Sequence, residues 1–200
     1  MRFSASFAAV ATVIGLSEAM PADPPAPAAT SVPYYYFKTV AQSSDKAAYS
    51  NLYLNAHHTG AGTYDATFSK GTPYPGHLGW LSGSVLKWFE PVPGKIVMSV
   101  DYQIRTSDYA AWAPVKMSGD AGTPGFKLVK EKLIIDNPQF EAWLVCDWHH
   151  SYPQLFTLIK TIYPVVIPSS CAKVDLIAES ATKSTTLPVI VGPPPAKPSP

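Results

Sequence analysis

Apolar residues recur with a period of two through the middle of this chain. Ile96, Met98, Val100 and Tyr102 alternate with Val97, Ser99, Asp101 and Gln103. Leu52, Leu54 and Ala56 alternate with Asn51, Tyr53 and Asn55, and Phe126 and Leu128 with Lys127 and Val129. Successive side chains on a strand point to opposite faces, so each stretch predicts a strand buried on one side. The run Phe140 to Trp148 (FEAWLVCDW) is apolar on both faces, and Leu155 to Ile162 is similar. Such runs predict central strands covered on each side, with Trp143 and Trp148 in the core. Gly and Pro punctuate at short intervals: Gly60 and Gly62, Gly71 to Gly76, Pro91 to Gly94, Gly119 to Gly125, and Asn137-Pro138. Nine or ten short strands with no amphipathic helix and no fixed-period repeat predict an all-β fold. It is an antiparallel β-sandwich or a closed β-barrel, and the pattern does not choose between them.

The ends of the chain read differently. Arg2 precedes a compact apolar stretch, Phe7 to Leu16, and Ser17-Glu18-Ala19 places small residues where a signal peptidase cuts. Residues 1–19 are therefore expected to be a signal peptide. The apolar stretch is too short to cross a bilayer, which needs about 20 residues, and no second stretch of that length occurs. Residues 20–33 and 179–200 are rich in Pro, Ala, Ser and Thr and hold eleven of the 21 prolines. Without a periodic apolar pattern they predict disordered tails around one domain, residues 34–178.

Composition narrows the classes of function. Apolar residues make up 46% of the chain, enough to fill a core, while charged residues are only 14% with a net charge of +1. The two arginines are Arg2 and Arg105, so removal of the leader would leave one. A nucleic-acid binder clusters Arg and Lys against phosphates, and that class is excluded here. In an oxidising compartment the two cysteines, Cys146 and Cys171, most simply form one disulfide. A metal or catalytic role for either thiol is the weaker reading, since no CxxC spacing occurs.

Three stretches carry a likeness to a known family: NLYLNAHHTGAGTYDATFSK (Asn51 to Lys70), FEAWLVCDWHHSYPQLF (Phe140 to Phe156) and PSSCAKVDL (Pro168 to Leu176). With YAAWAPV (Tyr109 to Val115) they resemble a family of small secreted fungal proteins with a β-rich domain of unknown function. The likeness spans about Tyr34 to Ile177, and its HTGAG and WLVCDW cores are the distinctive parts. It implies a fungal source, export and paired cysteines, and it implies no chemistry. Where the family pattern has a tyrosine this chain has His57, and where it has a tryptophan this chain has His149.

Candidate chemistry rests on few residues. Four of the five histidines form two adjacent pairs, His57-His58 and His149-His150, each at a predicted strand end. Neighbours on a strand face opposite ways, so each pair offers one ligand to a given site. One histidine from each pair with Asp65 or Asp147 would make a two-His, one-carboxylate metal set, with His57, His150 and Asp147 as the named alternative. His150, Asp147 and Glu141 are the alternative catalytic set, for a small hydrolase. Asp101, Glu141 and Asp147 are the carboxylates available for glycoside cleavage, and Arg105 with Glu141 and His149 or His150 for a ribonuclease-like site.

The Gly60-Ala61-Gly62 turn after His58 serves a hairpin better than a ligand, and it lacks the ending of a phosphate loop. There is no GxSxG elbow and no HExxH, and nothing in the sequence calls for a cofactor. Five Trp and eleven Tyr are plentiful. Aromatic faces on a rigid β surface suit stacking on sugars, which makes Trp80, Trp88, Trp112 and His58 the candidate ligand-binding residues. The reading favoured is a secreted, extracellular or wall-bound domain that binds a cell-wall polysaccharide or a host protein without catalysis. A small hydrolase, and a coat protein acting through its tails, are the competing classes.

Overall fold

The computed structural model describes residues 32–74, 77–90, 96–104, 111–148 and 151–181. The predicted leader, most of the first linker and nearly all of the C-terminal tail lie outside them, as do Arg105, His149 and His150. The chain forms β1 (Tyr35–Ala41), a 3-10 helix (Ser44–Tyr49), β2 (Leu52–Gly60), β3 (Thr63–Lys70), β4 (Leu78–Ser82) and β5 (Val85–Glu90). It continues through β6 (Ile96–Asp101), β7 (Trp112–Pro114), β8 (Lys116–Ser118), β9 (Phe126–Val129) and β10 (Lys132–Ile135). The last three strands are β11 (Phe140–Asp147), β12 (Pro153–Ile159) and β13 (Cys171–Ser180).

Passing from β1 through β13, β11, β12, β3, β8, β6, β5 and β4 leads back to β1 by antiparallel pairings throughout. The fold is thus a closed nine-stranded barrel, which leaves no free sheet edge along the ring. β2 pairs with β3 along its length and touches β1 at Lys38↔Tyr53, β7 pairs with β12, and the β9–β10 hairpin is attached to β13. The β4–β1 closure consists of one pair, Tyr35↔Gly79. A Cβ on residue 79 would lie 2.6 Å from the Phe37 ring and 3.1 Å from Trp88, so only glycine lets the two strands approach.

The core follows the alternation. Phe37, Leu52, Leu54, Phe68, Trp88, Met98, Trp143 and Val145 belong to the main apolar cluster. On β11, Ala142, Leu144 and Cys146 point the other way and pack with Phe156, Leu158 and Cys171 under Trp112, Val165 and Ile167. That second cluster is why Phe140 to Cys146 reads as apolar on both faces. Cys146 and Cys171 are opposed in the β11–β13 register and joined by a disulfide. The buried Thr39 hydroxyl is tied in, as Oγ1 donates to Tyr49 O at 2.7 Å and accepts from Leu52 N–H at 3.0 Å. Trp143 Nε1 donates to Leu133 O at 2.7 Å.

Candidate functional site

Gly60↔Thr63 closes the β2–β3 hairpin around Ala61 and Gly62, and Gly62 has φ +71°. The glycines of HTGAG thus serve the turn. Because Leu52 and Leu54 face the core, Tyr53, Asn55 and His57 form the outward row of β2. β12 meets β3 at Gln154↔Thr67, which brings the β11–β12 hairpin beside this row. The His57 ring lies 5.1 Å from Tyr152, and His58, which is exposed, packs 5.0 Å from Tyr64.

Two steps down the row, Asn55 Oδ1 accepts from His77 Nδ1 at 3.2 Å, while Asn55 Nδ2 donates to Ser69 Oγ at 2.6 Å. His77 in turn packs 4.7 Å from the exposed Tyr74. The outer surface therefore carries a line of rings, Tyr74, His77, His57 and Tyr152, with the Asn55 amide among them. At its end, Trp148 is 58% exposed and Tyr152 47%, and they bracket the β11–β12 turn. The Trp148 indole meets Phe156 edge-on at 5.5 Å, which fixes its orientation while leaving surface open.

This arrangement corrects several expectations. Trp88 lies fully inside the main core, and Trp80 is buried with Tyr34, Leu78 and Phe89. Neither offers a face to a ligand. Trp112 is half-buried and covers the second apolar cluster. Trp148, expected in the core, is the most exposed tryptophan, because β11 ends at Asp147 and the alternation ends with it.

The carboxylates also fall apart. Glu141 pairs with Lys173, whereas Asp147 accepts from Tyr49 Oη at 2.9 Å. Six residues of strand separate Glu141 from Asp147 by about 20 Å, against the 5–10 Å of a glycosidase pair. Burial, then the bond to Asp147, pushes the Tyr49 hydroxyl up to about 12, so Tyr49 is a fixed donor to that carboxylate. Asp101 accepts from Ser118 and Thr123 in a network that holds the turn after β8. Among the described residues no three His, Cys, Asp or Glu side chains are grouped to hold a metal, and His150 lies outside them.

His77 stands alone in the sequence, without the pairing that singled out the other histidines, and the sequence carries no signal of its burial. Burial lowers it to about 4, so the ring stays neutral and keeps Nδ1–H on Asn55. The unfolded chain takes up this proton first as pH falls through the usual value near 6.5. Stability is therefore complete above about pH 7 and declines between 6.5 and 4, by about 1–2 kcal/mol given the ring's partial access to solvent. Urea unfolding at pH 7.5 and 4.5 checks this: His77→Gln should show a smaller loss than the parent chain. An equal loss in both would refute it.

The family described as domain of unknown function DUF7907 matches residues 33–180, a span that contains all thirteen strands of the described residues. The chain belongs to this family. No curated protein and no solved structure matches it. The ring-lined surface of this DUF7907 domain therefore has to be read from its own residues.

Proposed function

We propose that this DUF7907 domain is a secreted, non-catalytic binding module whose ligand is an extended polysaccharide of the fungal wall or of a host surface. The observation that carries the reading is the row of ring faces along β2, ended by Trp148 and Tyr152. Sugar rings present flat apolar C–H faces and hydroxyl edges. Amphipathic aromatics and a side-chain amide match both kinds of surface. Asn55 and His57 lie on the paired strand β2. The rings in the adjoining connections are placed by contact, His77 by its bond to Asn55, Tyr152 against His57 and Trp148 against Phe156, which lowers the ordering needed on binding. The separation of Glu141 from Asp147 speaks against a carboxylate pair for glycan cleavage. A disulfide is compatible with an extracellular location.

The test is co-sedimentation of the purified protein with insoluble chitin, β-glucan and cellulose, with released sugar assayed in the same supernatants. Retention without release is the expected result. Trp148→Ala and Tyr152→Ala should each weaken retention about three- to tenfold, and Trp112→Ala should weaken it less. Release of sugar would transfer the function to a hydrolase. Absence of retention on all three would remove polysaccharide as the ligand.

A further inference from the structure

The β12–β13 connection presents apolar side chains to water more fully than any other described segment. Ile162 is 95% exposed, Tyr163 79% and Val166 87%, while Val165 and Ile167 of the same segment turn inward onto the second cluster. Pro164 and Pro168 lack backbone N–H groups, so the segment is held extended without extending the sheet. Ile162 and Tyr163 themselves form part of the rim of a hollow of about 360 Å³ that Leu158, Val165 and Ile167 also line. Glu141 and Lys173, which pair with each other, also line it. A second hollow of about 540 Å³ shares Ile167 and Lys173 with the first.

We propose that this surface is a two-fold contact between two copies of this chain, with the Ile162–Tyr163 knob of each seated in the hollow of the other. Each knob is the rim of its own hollow, so two copies related by a two-fold axis can interlock, the rim of each entering the hollow of the other. Glu141 and Lys173 pair with each other in the lining, so the hollow meets the partner's apolar side chains without an unpaired charge. The three projecting side chains expose roughly 500 Å², over half of the ~800 Å² that each partner of a standard interface buries.

Other occupants fit less well. An anionic membrane calls for a cluster of free cations, whereas Lys173 is paired with Glu141 and Lys46 donates to Ser169 O. A glycan finds one ring here, Tyr163, among branched aliphatic side chains.

Sedimentation velocity of the full processed protein, from micromolar to submillimolar concentration, is the direct test. A reversible monomer–dimer equilibrium is expected. Ile162→Asp and Val166→Asp should each raise its dissociation constant at least tenfold while leaving the melting temperature unchanged, because neither side chain contributes to the core. As a second measurement, Tyr163→Ser should weaken the dimer and leave retention on polysaccharide intact, which separates this contact from the binding surface proposed above. A monomer at every concentration, or a dimer indifferent to all three substitutions, would overturn the proposal. Flotation of the parent protein with phosphatidylcholine–phosphatidylserine vesicles, abolished by Ile162→Asp, would also overturn it and assign the patch to lipid.

Discussion

Replacing both Cys146 and Cys171 with alanine is expected to lower folding stability by about 3–4 kcal/mol. The bridge closes a loop with a sequence separation of 25, and the chain-entropy relation gives a figure of that size for such a loop. Lost packing adds to it, since both sulfur-bearing side chains are buried against Leu144, Phe156 and Leu158. The loss should move the thermal midpoint down by about 10 °C for a domain of this length. The bridged strands, β11 and β13, also hold the ring together, as β13 pairs with β1, β10 and β11. Denaturant unfolding of the double variant beside the oxidised parent is the measurement. A loss below about 1 kcal/mol would mean that the two strands are secured by their ladder and packing alone.

Trp88→Ala should cost about 3–5 kcal/mol, the usual range for emptying a large aromatic site in a packed core. Its Nε1 is buried and donates to no protein acceptor, so truncation leaves no carbonyl unpaired and the whole cost is volume and contact. Trp143 differs in this respect, since its removal would also strip Leu133 O of its donor. The more informative variant is Gly79→Ala, with an expected cost of about 1–3 kcal/mol, because the new methyl meets the Phe37 and Trp88 rings at the barrel's closing pair. When the two changes are combined, the cost should fall below their sum, as truncating Trp88 clears part of the space that the methyl needs. Strict additivity across the double-mutant cycle would mean that Phe37 alone limits the approach of β4 to β1.

The all-β architecture was legible because β2, β6 and β9 keep a clean two-residue alternation, and because the doubly apolar β11 needs cover on both faces. The count of nine or ten strands fell short of the thirteen described, since β7 and β8 are three residues each and too short to show a period. Barrel and sandwich could not be separated, because closure depends on Tyr35 meeting Gly79 and no local pattern encodes a single pair so distant. The two cysteines were readable because a lone pair leaves one simple partner assignment.

The aromatic site was harder to read. Nearness to a turn does not give exposure, since Trp80 and Trp88 sit on a β4–β5 hairpin whose faces are both covered. The apolar run before Trp148 makes it resemble a core residue, although Asp147 already marks the strand end. His77 and Tyr74 became visible as neighbours of Asn55 only once the chain was folded. Chemistry-bearing residues gather by long-range pairing, and sequence spacing carries no record of that.

The register of β1 on β13 has one further consequence. Tyr35 faces Ser180, and Ala181 N–H donates to Tyr34 O at 2.9 Å, so the chain enters and leaves the barrel at one pole. From there β13 reaches back about 30 Å to Cys171 at the opposite pole, where Asp147 and the end of β11 lie. Chain attached at either end leaves from the pole remote from Trp148, so a tether there would leave the Trp148 end of the aromatic row facing away from it. The same adjacency makes the domain a ready cassette: a short linker joining residue 181 to residue 34 should permit a circular permutant opened at the β12–β13 connection.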